Sequence, residues 1–93
     1  MKAIYKDTVI AESNDTIVVD NNHYFPWDSL NGCFFMKSEH TTECGWKGEA
    51  KYLNVVVEDD ENKNAAWYYP EPKEKASNIK NHVAFYDSVK VTA

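Results

Sequence analysis

Lys47 and Glu49 stand two residues apart in the run Glu43–Tyr52, ECGWKGEAKY, and are the pair in this chain best suited to acid–base or anion-binding chemistry. On an extended strand, residues two apart share a face at about 7 Å, so a small polar ligand fits between them. The same alternation sends Trp46, Gly48, Ala50 and Tyr52 to the opposite face, where two aromatics flank a floor of small residues. Such a floor admits a ligand, or an aromatic of a neighbouring strand such as Tyr69 or Phe85. A solvated ion pair worth about 0–1 kcal/mol is the plainer account of Lys47 and Glu49. A lysine serves as a base near neutrality only when burial depresses its pKa.

A second aromatic wall lies in NAAWYYPEP, Asn64–Pro72. On a strand Trp67 and Tyr69 share one face while Tyr68 takes the other with Ala66, so at most two of the three aromatics belong to one site. His23, leading HYFP, is a candidate polar group aimed into a pocket, with a structural histidine as the alternative. His40 and Cys44, four apart, offer a base beside a nucleophile, or two members of a zinc set with Cys33 or His23. No second close Cys/His pair completes that set, so no metal is expected. The three glycines form no phosphate-cradling loop, and no G-x-S-x-G elbow occurs. The candidate ligand-binding set is therefore His23, Trp46, Lys47, Gly48, Glu49, Trp67 and Tyr69, with no cofactor and no assigned catalytic residue.

Ninety-three residues make one domain, 1–93, with room for a single modest site, because a chain this short buries only about 60–65% of its unfolded surface. The net charge of −5 opposes nucleic acid. All ten basic residues are lysine, so bidentate arginine clamps on phosphate or carboxylate are absent. No run approaches the roughly 20 apolar residues of a membrane span, and the first residues, MKAIYKDTVIA, hold no apolar stretch of leader length. The two cysteines read as reduced thiols, and a cytoplasmic protein is expected.

The elements that must position these residues are mostly strands, since short alternating or β-branched runs dominate. Strands are expected at Lys2–Lys6, Thr8–Glu12 and Thr16–Asp20, with Ser13–Asp15 as a hairpin turn and Asp20–Asn22 as another before His23–Phe25. PWDSLNG reads as one helical turn opened by Pro26, CFFM (Cys33–Met36) as a buried strand and KSEHTTE as a polar loop. The longest strand is expected from Lys47 to Glu58, returning through an acidic turn, EDDENKN, into AAWYY. A helix is expected from Pro72 to Lys80, with Ala76, Ile79 and Val83 on one stripe and Asn81 ending it in the left-handed region. HVAFY and VKV close the chain as strands. The expected fold is mainly β: a compact antiparallel barrel or sandwich of about eight short strands, with one short helix near the C-terminus.

The motifs HYFPWDSL, CGWKGEAKYLNV, NKNAAWYYPEPKEKASNIKNHVAFY and VKV resemble, in this order over nearly the whole chain, the DUF427 family of small domains of unknown function. The resemblance implies a compact, mainly β domain and covers His23–Pro26, Cys44, Trp46–Gly48 and Trp67–Pro70. Gly45 stands where the family commonly has proline, Asn64 where aspartate is frequent, and Asn81 where glycine is usual. A nucleotidyltransferase-like label sometimes attached to the family implies two-metal phosphoryl chemistry, which asks for a Gly-Ser pair followed by Asp-x-Asp. No Gly-Ser pair occurs here. The leading expectation is a small-molecule site walled by Trp46, Trp67 and Tyr69, with Lys47 and His23 as polar handles. The alternative is a non-catalytic module whose aromatics are core, or an interface with a protein partner or a second copy.

Overall fold

Two tight turns with paired left-handed residues set the first half of the molecule. Lys6 and Asp7 (φ 51° and 59°) join β1 (Lys2–Tyr5) to β2 (Thr8–Glu12). Asp20 and Asn21 (φ 52° and 66°) join β3 (Ile17–Val19) to β4 (Asn22–Pro26). Two successive positive φ values mark the two-residue turn whose twist matches that of the strands, and Asp and Asn tolerate that region best. Ser13–Asp15 is not a hairpin turn, because β2 and β3 lie in different sheets. The Met1 ammonium donates to the Ser13 carbonyl at 2.9 Å, and Ser13 Oγ accepts from the Asp15 N–H at 2.9 Å.

The computed structural model describes all residues, Met1–Ala93. After β4 come β5 (Phe35–Cys44), β6 (Gly48–Val57), β7 (Asp60–Tyr68), β8 (His82–Phe85) and β9 (Lys90–Thr92). They form a three-stranded sheet, β2-β1-β9, and a six-stranded sheet, β3-β4-β8-β7-β6-β5, antiparallel throughout. The result is a sandwich of two open-edged sheets, nine short strands in all, and not a closed barrel. No helix is long and apolar enough to cross a membrane.

Alternation divides the central strands between two cores. Phe25, Leu53, Val55, Ala66, Val83 and Phe85 meet Ala3 and Ile10 of the small sheet, with the Phe25 and Phe85 rings edge to face at 5.5 Å. Their strand neighbours Tyr24, Tyr52 and Ala84 turn to the opposite face and pack with Ala50, Tyr69, Ala76 and Ile79. The large sheet is thus buried on both faces along its middle.

Several expected elements differ. The stretch Pro72–Lys80 forms 3-10 turns over Glu74–Ile79, kinked at Ala76 (φ −114°, ψ 16°), with Lys73 at the cap. Prolines at 70 and 72 leave too short a run for a settled α-helix, and the tighter 3-10 form serves such pieces. Ala76 and Ile79 are buried as expected, but Val83 belongs to β8 and the opposite core. Asn81 does adopt φ 63°. PWDSLNG holds the expected turn, a 3-10 piece at Trp27–Ser29. Cys33 lies exposed in a further 3-10 turn, Gly32–Phe34, and Met36 is 57% exposed, so CFFM is not a buried strand. KSEHTTE is the body of β5, an edge strand whose polar composition reflects exposure.

Candidate functional site

Lys47 sits in the turn between β5 and β6, one residue before alternation begins at Gly48. It therefore does not share a face with Glu49. Its side chain is buried, with Nζ 2.7 Å from Asp20 Oδ2 and 5.0 and 5.9 Å from the ring centroids of Trp46 and Tyr69. Asp20 is delivered by the left-handed turn between β3 and β4. Burial opposes the ammonium charge, but the hydrogen bond to Asp20 and the neighbouring Tyr24, Asp20 and Cys44 outweigh it, so the pKa rises above the ordinary lysine value. Lys47 is a charged, satisfied cation at neutral pH, and its chemistry is to hold an anion rather than to take a proton.

The small-residue floor beside it is covered by protein. Gly48 has φ 110°, and a Cβ there would come within 3.3 Å of the Glu71 carbonyl oxygen. The Lys73 N–H donates to the Lys47 carbonyl at 2.8 Å, and Lys73 Nζ donates to the Gly45 carbonyl at 2.8 Å, so Glu71–Lys73 straps the turn. Ala50 is packed among the second core with Tyr52, Tyr69 and Ala76. Glu49 is exposed, opposite Glu43 in register.

The aromatics of this face fill one another. Trp67 Nε1 donates to the hydroxyl of the fully buried Tyr24 at 3.1 Å, and the Trp67 ring lies 4.6 Å from Tyr86. The Tyr52 hydroxyl meets Thr42 Oγ1 at 2.9 Å and the Tyr86 hydroxyl at 3.4 Å, with the His40 ring 4.7 Å from Tyr52. Burial drives the Tyr69 phenol well above its ordinary pKa. The hydrogen bond to Tyr52, then burial, pushes Tyr86 up to about 12. His23 is not brought to Lys47. Alternation along β4 points it away from the face that holds Tyr24, and its Nδ1 lies 3.0 Å from Thr16 Oγ1. Trp46, Lys47, Gly48 and Tyr69 are thus gathered at one place, while His23 and Glu49 face elsewhere.

The open space lies on the other face. A cavity of about 740 Å³ is walled by Trp27, Tyr68, Lys37, Lys51, Lys80 and His82, with Asp28 also on its wall. Tyr68 stands opposite Lys51 in register, and Lys37 opposite Leu53, so β5, β6 and β7 each contribute one side chain. Trp27, 40% exposed, meets the Tyr68 ring at 4.9 Å and 70°. Its backbone N–H donates to the Asn81 carbonyl at 2.8 Å, and the Ser29 hydroxyl donates to the Pro26 carbonyl at 2.6 Å, which fixes the turn that presents the indole. His82 Nδ1 lies 2.8 Å from the Lys80 carbonyl. A carbonyl only accepts, so this nitrogen carries the proton and Nε2 is the ring atom left free. Burial raises the Tyr68 pKa. Alternation had already set Tyr68 on the far face from Trp67 and Tyr69. What the sequence withheld was that Trp27 and the lysines of an edge strand meet it there.

An antiparallel two-sheet domain of this kind carries no activity in its fold alone. The chain belongs to the family described as Domain of unknown function (DUF427), whose model matches residues 1–93. No curated protein matches it. A two-metal phosphoryl-transfer centre does not fit the donors present. No three His, Cys, Asp or Glu side chains converge to hold an ion, and Asp60, which opens β7 just after the acidic turn, is taken up by Lys6 Nζ at 3.0 Å and the Tyr5 hydroxyl at 3.2 Å.

Proposed function

We propose that this chain is a small-molecule-binding domain whose site is the cavity walled by Trp27 and Tyr68. The observation that carries this reading is the paired, part-exposed aromatics beside about 740 Å³ of open space. Ligand sites commonly offer about 300–1,000 Å³ with aromatic walls and a few orienting polar groups. Trp46, Lys47, Trp67 and Tyr69 then have a supporting part. Trp67 and Tyr69 anchor the far face of the segment that carries Tyr68, and Lys47 with Asp20 ties the β5–β6 turn to the β3–β4 turn.

A thermal-shift screen against a metabolite set tests the reading, since a ligand at a hundred times its Kd adds about 2.7 kcal/mol of stability. The expected hits vanish in Trp27→Ala and survive in Trp46→Ala. Hits with the opposite dependence would move the site to the Lys47 face. A second reading, a module that docks a protein partner or a second copy, is favoured by β5, which pairs with β6 alone and leaves its outer edge free. A sedimentation mass that rises with concentration, and falls when proline replaces an edge residue of β5, would favour it.

A further inference from the structure

The cavity has a polarity that narrows the class of ligand beyond a small molecule. The protein carries −5, yet three of its ten lysines, Lys37, Lys51 and Lys80, line this one opening. The two ion pairs shorter than 4.0 Å in the molecule, Lys6–Asp60 and Lys47–Asp20, leave all three without a carboxylate partner. Asp28 is the one carboxylate on the wall.

The two neighbouring recesses differ. One, about 190 Å³, is lined by Trp27, Leu30, Phe35 and Leu53, and it shares Trp27 and Lys37 with the main cavity. The other is bounded by Glu49 and Glu71 and shares Lys51 and Pro70. An apolar recess therefore adjoins the cationic centre at one junction, and a carboxylate-lined recess adjoins it at another.

We infer that the cavity selects amphipathic organic acids carrying a single anionic group. The carboxylate or phosphate lies among Lys37, Lys51 and Lys80, and the apolar body lies over Trp27 toward Leu30, Phe35 and Leu53. This rests on the cavity being the binding site. Lysines act as separate point charges rather than planar forks, so they accept either anion, while Glu49 and Glu71 repel a second charge extending past Lys51. Exposed ion pairs are individually weak, so the three together make an acid bind about tenfold tighter than its neutral amide at low salt. That margin shrinks as salt screens exposed charges.

Calorimetric titration with para-butylbenzoate, its amide para-butylbenzamide, and para-butylphenyl phosphate tests the inference. The expected result is about tenfold tighter binding of the benzoate than of the amide, lost at high salt and in the Lys37→Gln/Lys51→Gln double variant. The phosphate arm reads which single anionic group the three lysines prefer; 5-butylisophthalate, which adds a second carboxylate to the same ring, bound far more tightly than the benzoate would overturn the single-group reading. Both lysines are exposed, so the double variant is expected to keep the wild-type Tm, which checks its folding. Acid and amide binding equally, with both lost in Trp27→Ala, would overturn the selectivity and leave the cavity reading intact. Binding of all these compounds unchanged by Trp27→Ala would overturn both.

Discussion

At the scale of single residues, Lys47 shows how a chemically suggestive side chain is spent on structure. Its buried ammonium has one carboxylate partner, Asp20, which is itself largely exposed. Asp20→Asn strands the charge and is expected to cost about 1–2 kcal/mol in urea denaturation, between the values for exposed and fully buried pairs. Lys47 has a raised pKa, so its contribution is complete below its unfolded value near 10.5 and is lost as pH rises through the higher folded value. Tyr69 and Tyr86 act in the same direction, since each has a phenol pKa raised by folding. Stability is therefore expected to fall above about pH 10, and less steeply in Lys47→Met; equal slopes would contradict the assignment. Gly48→Ala places a Cβ at φ 110° against the Glu71 carbonyl and is expected to cost at least about 1–2 kcal/mol. Gly45→Ala meets nothing within 4 Å and should fall within about 0.5 kcal/mol of wild type in the same assay.

At the scale of elements, the left-handed positions decide what each connection tolerates. Asn64 (φ 55°) sits where the β6–β7 register slips, with its N–H donated to Asn54 Oδ1 and its Oδ1 accepting from the Ser38 hydroxyl. Asn64→Asp keeps the acceptor and the conformation and should be tolerated, whereas Asn64→Val should lower stability by about 1–3 kcal/mol by thermal denaturation. Much of this level was legible in sequence. Thr8–Glu12, the Asp20–Asn21 turn, the turn after Pro26 and the αL position at Asn81 all follow from local chemistry. β5 was not legible, because an edge strand exposed on both faces loses the alternation that identifies strands, and its polar residues read as loop. The spacing of Ala76 and Ile79 points to a helix, but Glu74–Ile79 lacks the length to sustain one and settles into 3-10 turns. For the site, sequence alternation correctly separated Tyr68 from Trp67 and Tyr69. It did not reveal Trp27, Lys37, Lys51, Lys80 and His82 as neighbours, because their meeting depends on the sheet order β4-β8-β7-β6-β5, a long-range property.

At the scale of the whole molecule, one sheet serves two faces with different duties. One half-face closes on the small sheet through Phe25 and Phe85, and Phe25→Ala is expected to cost about 3–5 kcal/mol. The opposite face closes on itself through tyrosines and Trp67. The region around Trp27 and Tyr68 is left open and lined with unpaired lysines, against the acidic balance of the chain. The chain holds three tryptophans, one on the open cavity and two on the Lys47 face, so their indole N–H signals report the two places separately. Nuclear magnetic resonance of the isotope-labelled protein, titrated with compounds that raise its Tm, is the most direct test. The account predicts that the Trp27 indole signal shifts saturably while those of Trp46 and Trp67 stay in place. Movement of Trp46 or Trp67 with a stationary Trp27 would contradict it.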